Sequence, residues 1–595
     1  MADNIRSIPS VADGLKPGQR KVMFGCFKRN LKSEIKVVQL GGYVAENSAY
    51  HHGEASLTAT IVGLAQNFVG SNNINLLEPN GQFGTRMQGG KDAASARYIF
   101  TNTSAMTRAV FHPDDDPLLN YLVEDGQRIE PEYYLPTVPL VLINGADGIG
   151  TGWSTQIPNY NPVDIVDNLR RLMRGEEVVP MTPWFRGFKG TIERVDNDRY
   201  KVSGIAKKVD DKTIEITELP VRKWTQDFKE MIEAMTSGTD KVPSTIKDYE
   251  EHHTDTSVHF KLHMKPEGMK AAEAEGFDNR FKLTTALATS NMVCFDLNGK
   301  IKKYSSPEEI LQDFYPKRLE YYGLRKQHLA DELNKQFERL SNQARFVTMI
   351  IKKELVVSNK KKTAIVQELR DLKFRPFPKN GTKPLDAGEK EDALEEEEDQ
   401  GKDNDFDYLL GMAIWSLTEE KVKKLLAERD TKEQELIELL KLSPQDIWNH
   451  DLDAFIQEWE NCLASDLALK QKTKPKTKAQ VKKAAAARKR AKGEDSDDSE
   501  DDFKPTKAPP KPRAPAKPRA PKGTASFSTS AAPSASVSAA VSRSTTPLKR
   551  DSTTLSDDSD VDIKPVAKKP AVSRARAKPV KEELDDSDIE SESQR

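Results

Sequence analysis

The feature that most limits what this chain can fold into is a break in character near Asp466. Before it, apolar residues recur at helical and strand periods; after it come Lys, Ala, Pro and Ser in low complexity, cut by acidic serine patches such as EDSDDSEDD and LSDDSD. Such a composition buries too little apolar surface to offset its ordering entropy, so residues 466–595 read as a disordered charged tail. The whole-chain values carry its imprint: 36% hydrophobic, 31% charged and a mean hydropathy of −0.67 are too polar for 595 fully packed residues. Length alone suggests about four domains. Part of that length is not fold.

Several classes fall away. No apolar run approaches the roughly 18 residues of a membrane span, and MADNIRSIPS lacks the apolar centre of a signal peptide, so an intracellular, soluble chain with no membrane partner is expected. Cys26, Cys294 and Cys462 lie too far apart for a ligand cluster and form no disulfide framework, which suits a reducing compartment. The net charge of −2 is uninformative, but its distribution is not. Residues 6–36 carry about six more basic than acidic side chains, and the tail from Asp466 about nine more. KKAAAARKRAK resembles a nuclear localisation signal, with simple solubility as its bland alternative, and the serines among acidic residues look like acidophilic kinase sites.

Ahead of the tail, three patterns follow one another. Residues 1–160 have a globular composition, with Ile61, Leu64, Ala65 and Phe68 spaced as one buried helical face. Pro17 can open a helix displaying Arg20, Lys21, Lys28 and Arg29 around Val22, Met23, Cys26 and Phe27, which suits phosphate contact as well as an ordinary solvated face. From about Met181 to Lys303 the pattern turns to strands. Thr213, Ile214, Glu215 and Ile216 alternate at period two, as do Val258, Phe260, Leu262 and Met264, so 161–308 reads as a second, α+β domain. Around Leu319 a long helix begins, with Tyr322 and Leu329, and Leu333, Leu340 and Val347, seven apart. A matching stretch returns from a capping box at Ser416 and Glu419 through Val422, Leu425, Leu436 and Leu440, and the two are expected to pair antiparallel within 309–465. The acidic stretch at about 385–405 between them reads as a flexible insert.

Tempting motifs fail on spacing. GTRMQGGKD has Asp where a P-loop wants Ser or Thr, and GADGIGTGW places Trp153 where the last glycine of a dinucleotide fingerprint would fall. Asp114, Asp115 and Asp116 read as a surface turn rather than a metal site. His252, His253, His259 and His263 lack a cysteine and two share a strand face, so no metal is expected in this chain. What remains is Arg97-Tyr98 with Tyr50-His51-His52. A phenol with a pKa of about 10 is a poor nucleophile at neutral pH, but adjacent Arg and His can stabilise both the phenolate and the charge that builds on an attacked phosphoryl group. Tyr98 is one of fourteen tyrosines, and an ordinary core or surface role is the bland reading.

NIRSIPSVADGLKPGQRKV, SAYHHGE, LAQNFVGSNNINLLEPNGQFGTR, GGKDAASARYIFT and VLINGADGIGTGW, running from Asn4 to Trp153, closely resemble the cleavage–religation core of eukaryotic DNA topoisomerase II, and the similarity continues through YLLGMAIWSLTEEKVKKLL to about Glu460. The resemblance implies an α+β multidomain fold: a winged-helix domain, a tower domain, and a long antiparallel coiled coil ending in a helical dimer gate. It implies that Tyr98 attacks a DNA phosphate and becomes linked to the 5′ end of the cut strand. Arg97 and His52 match the residues that stabilise that phosphate, Arg6 and Lys16 match basic residues near the same centre, and Ile149 matches the apolar wedge that bends the gate DNA.

The family's ATPase and magnesium-binding domains have no counterpart motif here. The chain therefore reads as N-terminally truncated, with Mg2+ and ATP bound by domains it lacks and the missing half supplied in trans. Expected partners are double-stranded DNA and a second copy, in the nucleus, in strand passage serving chromosome segregation. The rival is a non-catalytic DNA-binding and dimerising protein; a coiled-coil scaffold with an incidental basic tail ranks last.

Overall fold

A computed structural model describes residues 2–238, 243–357, 360–377, 405–412 and 418–473. Ser416, nearly all of the acidic insert and the tail beyond Thr473 lie outside the described residues. The architecture is mixed α/β, with strands concentrated between Thr191 and Tyr304 and long helices after Ser306.

The first core grows from three helices, Pro17–Lys28, Val37–Asn47 and Glu54–Ala65, which bury Val22, Met23, Cys26, Leu40, Val44, Leu57 and Ile61 together. Pro17 occupies the first helical turn, as its fixed φ favours. Gly25 permits the first crossing: a Cβ there would lie 2.6 Å from Val44 Cγ2. Phe68 departs from the expected face. The helix stops at Ala65 because Gln66 turns to an extended conformation, and Phe68 packs edge-on against Trp224 at 5.9 Å instead.

This core passes the expected border at residue 160. It also takes in Ile165, Val166 and Leu169, the hairpin Met292–Phe295 with Ile301–Tyr304, the start of the long helix, and Trp448, Leu452, Phe455 and Trp459 from the C-terminal helix Pro444–Thr473. That helix likewise continues past the expected start of the tail, and Asp466 anchors it by accepting from Arg186 at 2.7 Å.

A second core fills the antiparallel four-stranded sheet, whose Thr213–Glu218 and Phe260–Met264 strands bury Ile214, Ile216, Phe260 and Leu262 against Phe228 and Ile232 of helix Thr225–Ser237. The alternation read from the sequence is the pleat itself. A third core gathers Ala344, Phe346, Val347, Ile365, Leu369 and Leu425.

The long helix spans Pro307–Ile351 and starts earlier than expected, because Ser306 caps it by accepting from Glu309 N at 3.2 Å with Pro307 next and two glutamates in the first turn. Its partner, Glu419–Lys441, is capped by Thr418. The two run antiparallel: Lys326 Nζ donates to the carbonyls of Leu440 and Leu442 at 3.0 and 2.7 Å, while Ala344 and Val347 share the third core with Val422 and Leu425. Leu440 does not join the stripe. Its side chain is 56% exposed, and Leu439 and Leu442 pack on the first core in its place.

The acidic triplet is no surface turn. Asp115 is buried and accepts from Arg318 Nη2 at 2.8 Å and from Arg325 Nε and Nη2 at 2.7 and 2.5 Å, and Asp116 pairs with Arg108 at 3.0 Å. Arg325 Nη1 and Tyr322 Oη also reach Asp451, and Trp448 stacks on Tyr315 and Tyr322. Loop, long helix and C-terminal helix meet at the Arg325 guanidinium, which spans Asp115 and Asp451.

Candidate nucleic-acid interface

Tyr98 is carried by the segment entering the short strand Phe100–Thr101, which pairs with Ile35–Lys36 in the register Lys36↔Phe100. Val37 N donates to Ile99 O and Val38 N to Ala96 O, so the start of helix Val37–Asn47 holds the Arg97-Tyr98 segment on both sides. Ile35, Ile99 and Thr101 are buried on one face, whereas Lys36 and Tyr98 emerge on the other. Tyr98 is 71% exposed, Arg97 beside it is exposed, and neither side chain takes a hydrogen bond or ion pair among the described residues. Both remain available to an anion.

His52 is exposed as well, but its ring lies edge-on to Tyr50 at 5.6 Å, and no hydrogen bond or ring contact joins it to Tyr98 among the described residues.

A second group forms around the hairpin Ala146–Ile149 with Ser154–Ile157. Ile149 stands at its tip, 85% exposed, with Trp153 43% exposed across the turn. The N-terminal helix Ala2–Ser7, bearing exposed Arg6, lies directly on this hairpin: a Cβ on Gly148 would come within 2.0 Å of Ser7 O, and one on Gly150 within 2.3 Å of Asn4 Oδ1. Lys16 Nζ donates to the carbonyl of Asp147 at 2.7 Å. Burial pulls the Lys16 ammonium below the ordinary lysine value, against the opposing pull of the Asp147 carboxylate. Arg6, Lys16 and Ile149 thus belong to one assembly.

The basic helix needs correction. Arg20 does not face outward: its guanidinium is buried on Asp13, with Nε to Oδ2 at 2.7 Å and Nη2 to Oδ1 at 3.0 Å, and Asp13 also accepts from the backbone of Leu15 and Tyr134. Lys21 is held by Ser48 O and by Glu130 at 2.9 Å. An amphipathic pattern reveals which residues share a side, not which charge has a distant partner. Lys28 and Arg29 are exposed and lie over the rings of Phe24 and Tyr43.

Sequence reasoning missed the connection between this surface and the four-stranded sheet. Arg222 donates to the Asp147 carboxylate at 2.7 Å, a pair distant in sequence and invisible to any local motif. The turn at 85–90 fixes the loop that carries Arg222: Arg86 pairs with Glu218 at 2.5 Å, Thr225 N and Gln226 N donate to the carbonyls of Arg86 and Met87, and Trp224 presses on Gly89.

The histidines of the sheet each meet a carboxylate: His252 and His263 reach Glu250 at 2.9 and 3.1 Å, and His259 reaches Glu215 at 2.7 Å. Among the described residues no three His, Cys, Asp or Glu side chains are grouped to hold a metal ion.

A family model for the DNA gyrase/topoisomerase IV A-subunit matches residues 6–453. DNA topoisomerase 2 of Penicillium chrysogenum is 56% identical over 465 residues, 77% of this chain and 29% of that protein. DNA topoisomerase 2 of Saccharomyces cerevisiae is 50% identical over 514 residues, 81% of this chain and 36% of that protein, and DNA topoisomerase 2-beta of Homo sapiens is 50% identical over 497, 80% and 31%. This chain therefore spans about a third of the length of these relatives. The crystal structure of the Plasmodium falciparum topoisomerase II DNA-binding, cleavage and re-ligation domain superposes with a TM-score of 0.72 at 46% identity, covering 78% of this chain and 64% of that one.

Proposed function

The chain belongs to the DNA gyrase/topoisomerase IV A-subunit family, and from that premise we propose that it is the cleavage–religation part of a type II DNA topoisomerase, with Tyr98 as nucleophile. The observation that carries this reading is the exposed Arg97-Tyr98 pair, whose side chains take no hydrogen bond or ion pair among the described residues and which is backed by a helix start. Tyr98 Oη attacks a backbone phosphorus, a Tyr–O–P bond replaces the P–O3′ bond, and the 3′ oxygen leaves with a proton. One phosphodiester is exchanged for another, so resealing needs no further energy input. The Arg97 guanidinium faces the charge that builds on the non-bridging oxygens. Ile149 wedges between base pairs, where unstacking costs a few kcal/mol that the contacts of a bent duplex offset.

On this reading the three helices around Val37–Asn47 form a winged-helix domain, the sheets between Thr191 and Ala288 a tower, and the paired long helices a coiled coil leading to a dimer gate. Two copies each cut one strand of one duplex so that another can pass, relaxing and decatenating DNA in the nucleus. ATP and magnesium act through the family's ATPase and metal-binding segments.

The test is a denaturing-gel search for a covalent protein–DNA adduct, with the chain alone and together with those segments in ATP and magnesium. Tyr98→Phe is expected to abolish the adduct, and a mixture of wild type and Tyr98→Phe to shift linear product towards nicked. An undiminished adduct in Tyr98→Phe removes Tyr98 as nucleophile. No adduct in either setting, with salt-sensitive duplex binding intact, leaves the non-catalytic DNA-binding dimer.

A further inference from the structure

Arg222 is where the backbone is least at ease near the wedge. Its φ of +66° lies in the left-handed region, which costs a residue with a Cβ about 1 kcal/mol or more and persists only where the surroundings impose it. Here they do. Arg86, Trp224 and the backbone at 85–90 fix the loop, and Gly70, itself at φ +91°, lies near enough that a Cβ on it would meet Arg222 N at 3.4 Å. The strained residue is an arginine, and its guanidinium lies on Asp147, two residues before Ile149. The pair is half open to solvent, with side chains 33% and 50% exposed.

An exposed ion pair of this kind contributes about 0–1 kcal/mol, too little to account for the strain as a stability device. Its surroundings point elsewhere. Arg6, Lys16 and Arg222 lie around the hairpin that bears Ile149, and Asp147 takes two of them: Lys16 donates to its backbone carbonyl and Arg222 to its carboxylate. To an arginine, a carboxylate and the two non-bridging oxygens of a tetrahedral backbone phosphate present the same kind of charged acceptor.

We infer that Arg222 is a DNA-positioning residue that grips a backbone phosphate beside the Ile149 wedge, and that Asp147 holds its place until duplex arrives. The inference rests on the proposed DNA-cleaving function and extends its contact surface to the loop after strand Thr213–Glu218. Exchange is easy because the pair is exposed and weak. The fixed loop keeps the guanidinium at the height of the wedge, so the phosphate it takes is one flanking the unstacked step.

The test is equilibrium binding of a fluorescent duplex of about 30 base pairs to the full chain across a salt series. Alongside it run thermal unfolding and the covalent-adduct assay. Arg222→Gly removes the charge and also relieves the backbone, so it is expected to weaken duplex binding about three- to tenfold and to flatten the salt dependence by about 0.9 in log–log slope. Its thermal midpoint should be no lower than wild type. Asp147→Asn is expected to tighten binding about threefold, and by less in the Arg222→Gly background, since there no arginine remains to be released. Unchanged affinity and slope in Arg222→Gly overturn the inference, and so does weaker binding that tracks a lowered midpoint or an Asp147→Asn gain that ignores residue 222. In each case wild-type binding and the Tyr98-dependent adduct would stand. Wild type failing to bind duplex at any salt would instead remove the underlying function and the inference with it.

Discussion

Asp115→Ala tests the junction where the long helix meets the first core. The carboxylate is 3% exposed and accepts three hydrogen bonds from two guanidiniums. Arg325 keeps Asp451 as a partner after the change, whereas Arg318, fully buried, loses the one carboxylate it pairs with among the described residues, where its Nε and Nη1 already have no partner. Removing one side of a buried pair costs about 3–5 kcal/mol, chiefly through the charge left unpaired. With Arg325 partly compensated the lower end applies, about 3 kcal/mol. Each 1.36 kcal/mol is a factor of ten, so amide exchange in the first turns of helix Pro307–Ile351 should quicken about a hundredfold where local opening limits it. Burial alone would raise the Asp115 carboxyl, but Arg318 and Arg325 outweigh it and hold it below the usual aspartate range. Its contribution is therefore complete above about pH 4 and fades as pH falls through the lowered value, so wild type and variant should converge in acid. Hydrogen exchange followed by mass spectrometry over a pH series measures both. Protection in Asp115→Ala within about threefold of wild type at neutral pH would refute the reasoning.

Two further perturbations probe the surface around the wedge. Gly148→Ala drives a Cβ to within 2.0 Å of a backbone oxygen that cannot rotate away, so the N-terminal helix must shift; a loss of about 1–3 kcal/mol in thermal unfolding and a weaker adduct are expected, and wild-type values in both would mean the hairpin and helix are not in register. Lys223 is half-buried beside Lys282, and burial first, then that like charge, lowers its pKa to about 8. The unfolded chain then binds more protons between about pH 8 and 10.5, so wild type should gain thermal stability across that window relative to Lys223→Met. A parallel pH dependence in the two proteins would argue against the shifted value.

What could be read in advance divides by range. Thr213–Glu218 and Phe260–Met264 were legible because a pleated strand with one buried face writes its burial into alternate residues. The antiparallel pairing of the long helices was legible from heptad spacing, although Leu440 shows that spacing does not say which leucine a nearby core claims. The same blindness hid Asp115. A triplet of aspartates between prolines has the composition of a solvated turn, and only the arrival of Arg318 and Arg325 from a distant helix makes it the anchor of a junction. Arg20 and Lys21 are the converse: on a helical wheel they are free cations, yet Asp13 and Glu130 claim them.

Charge is therefore the property least inferable from local pattern, because an ion pair needs only two side chains and these can come from anywhere in the chain. Arg97, Lys28 and Arg29 stay exposed while Arg20 is withdrawn onto Asp13, and Arg222 reaches Asp147 from a loop distant in sequence. A basic stretch of sequence is a pool from which the fold allots some charges to its own carboxylates. The exposed remainder, not the count, is what a phosphate backbone meets.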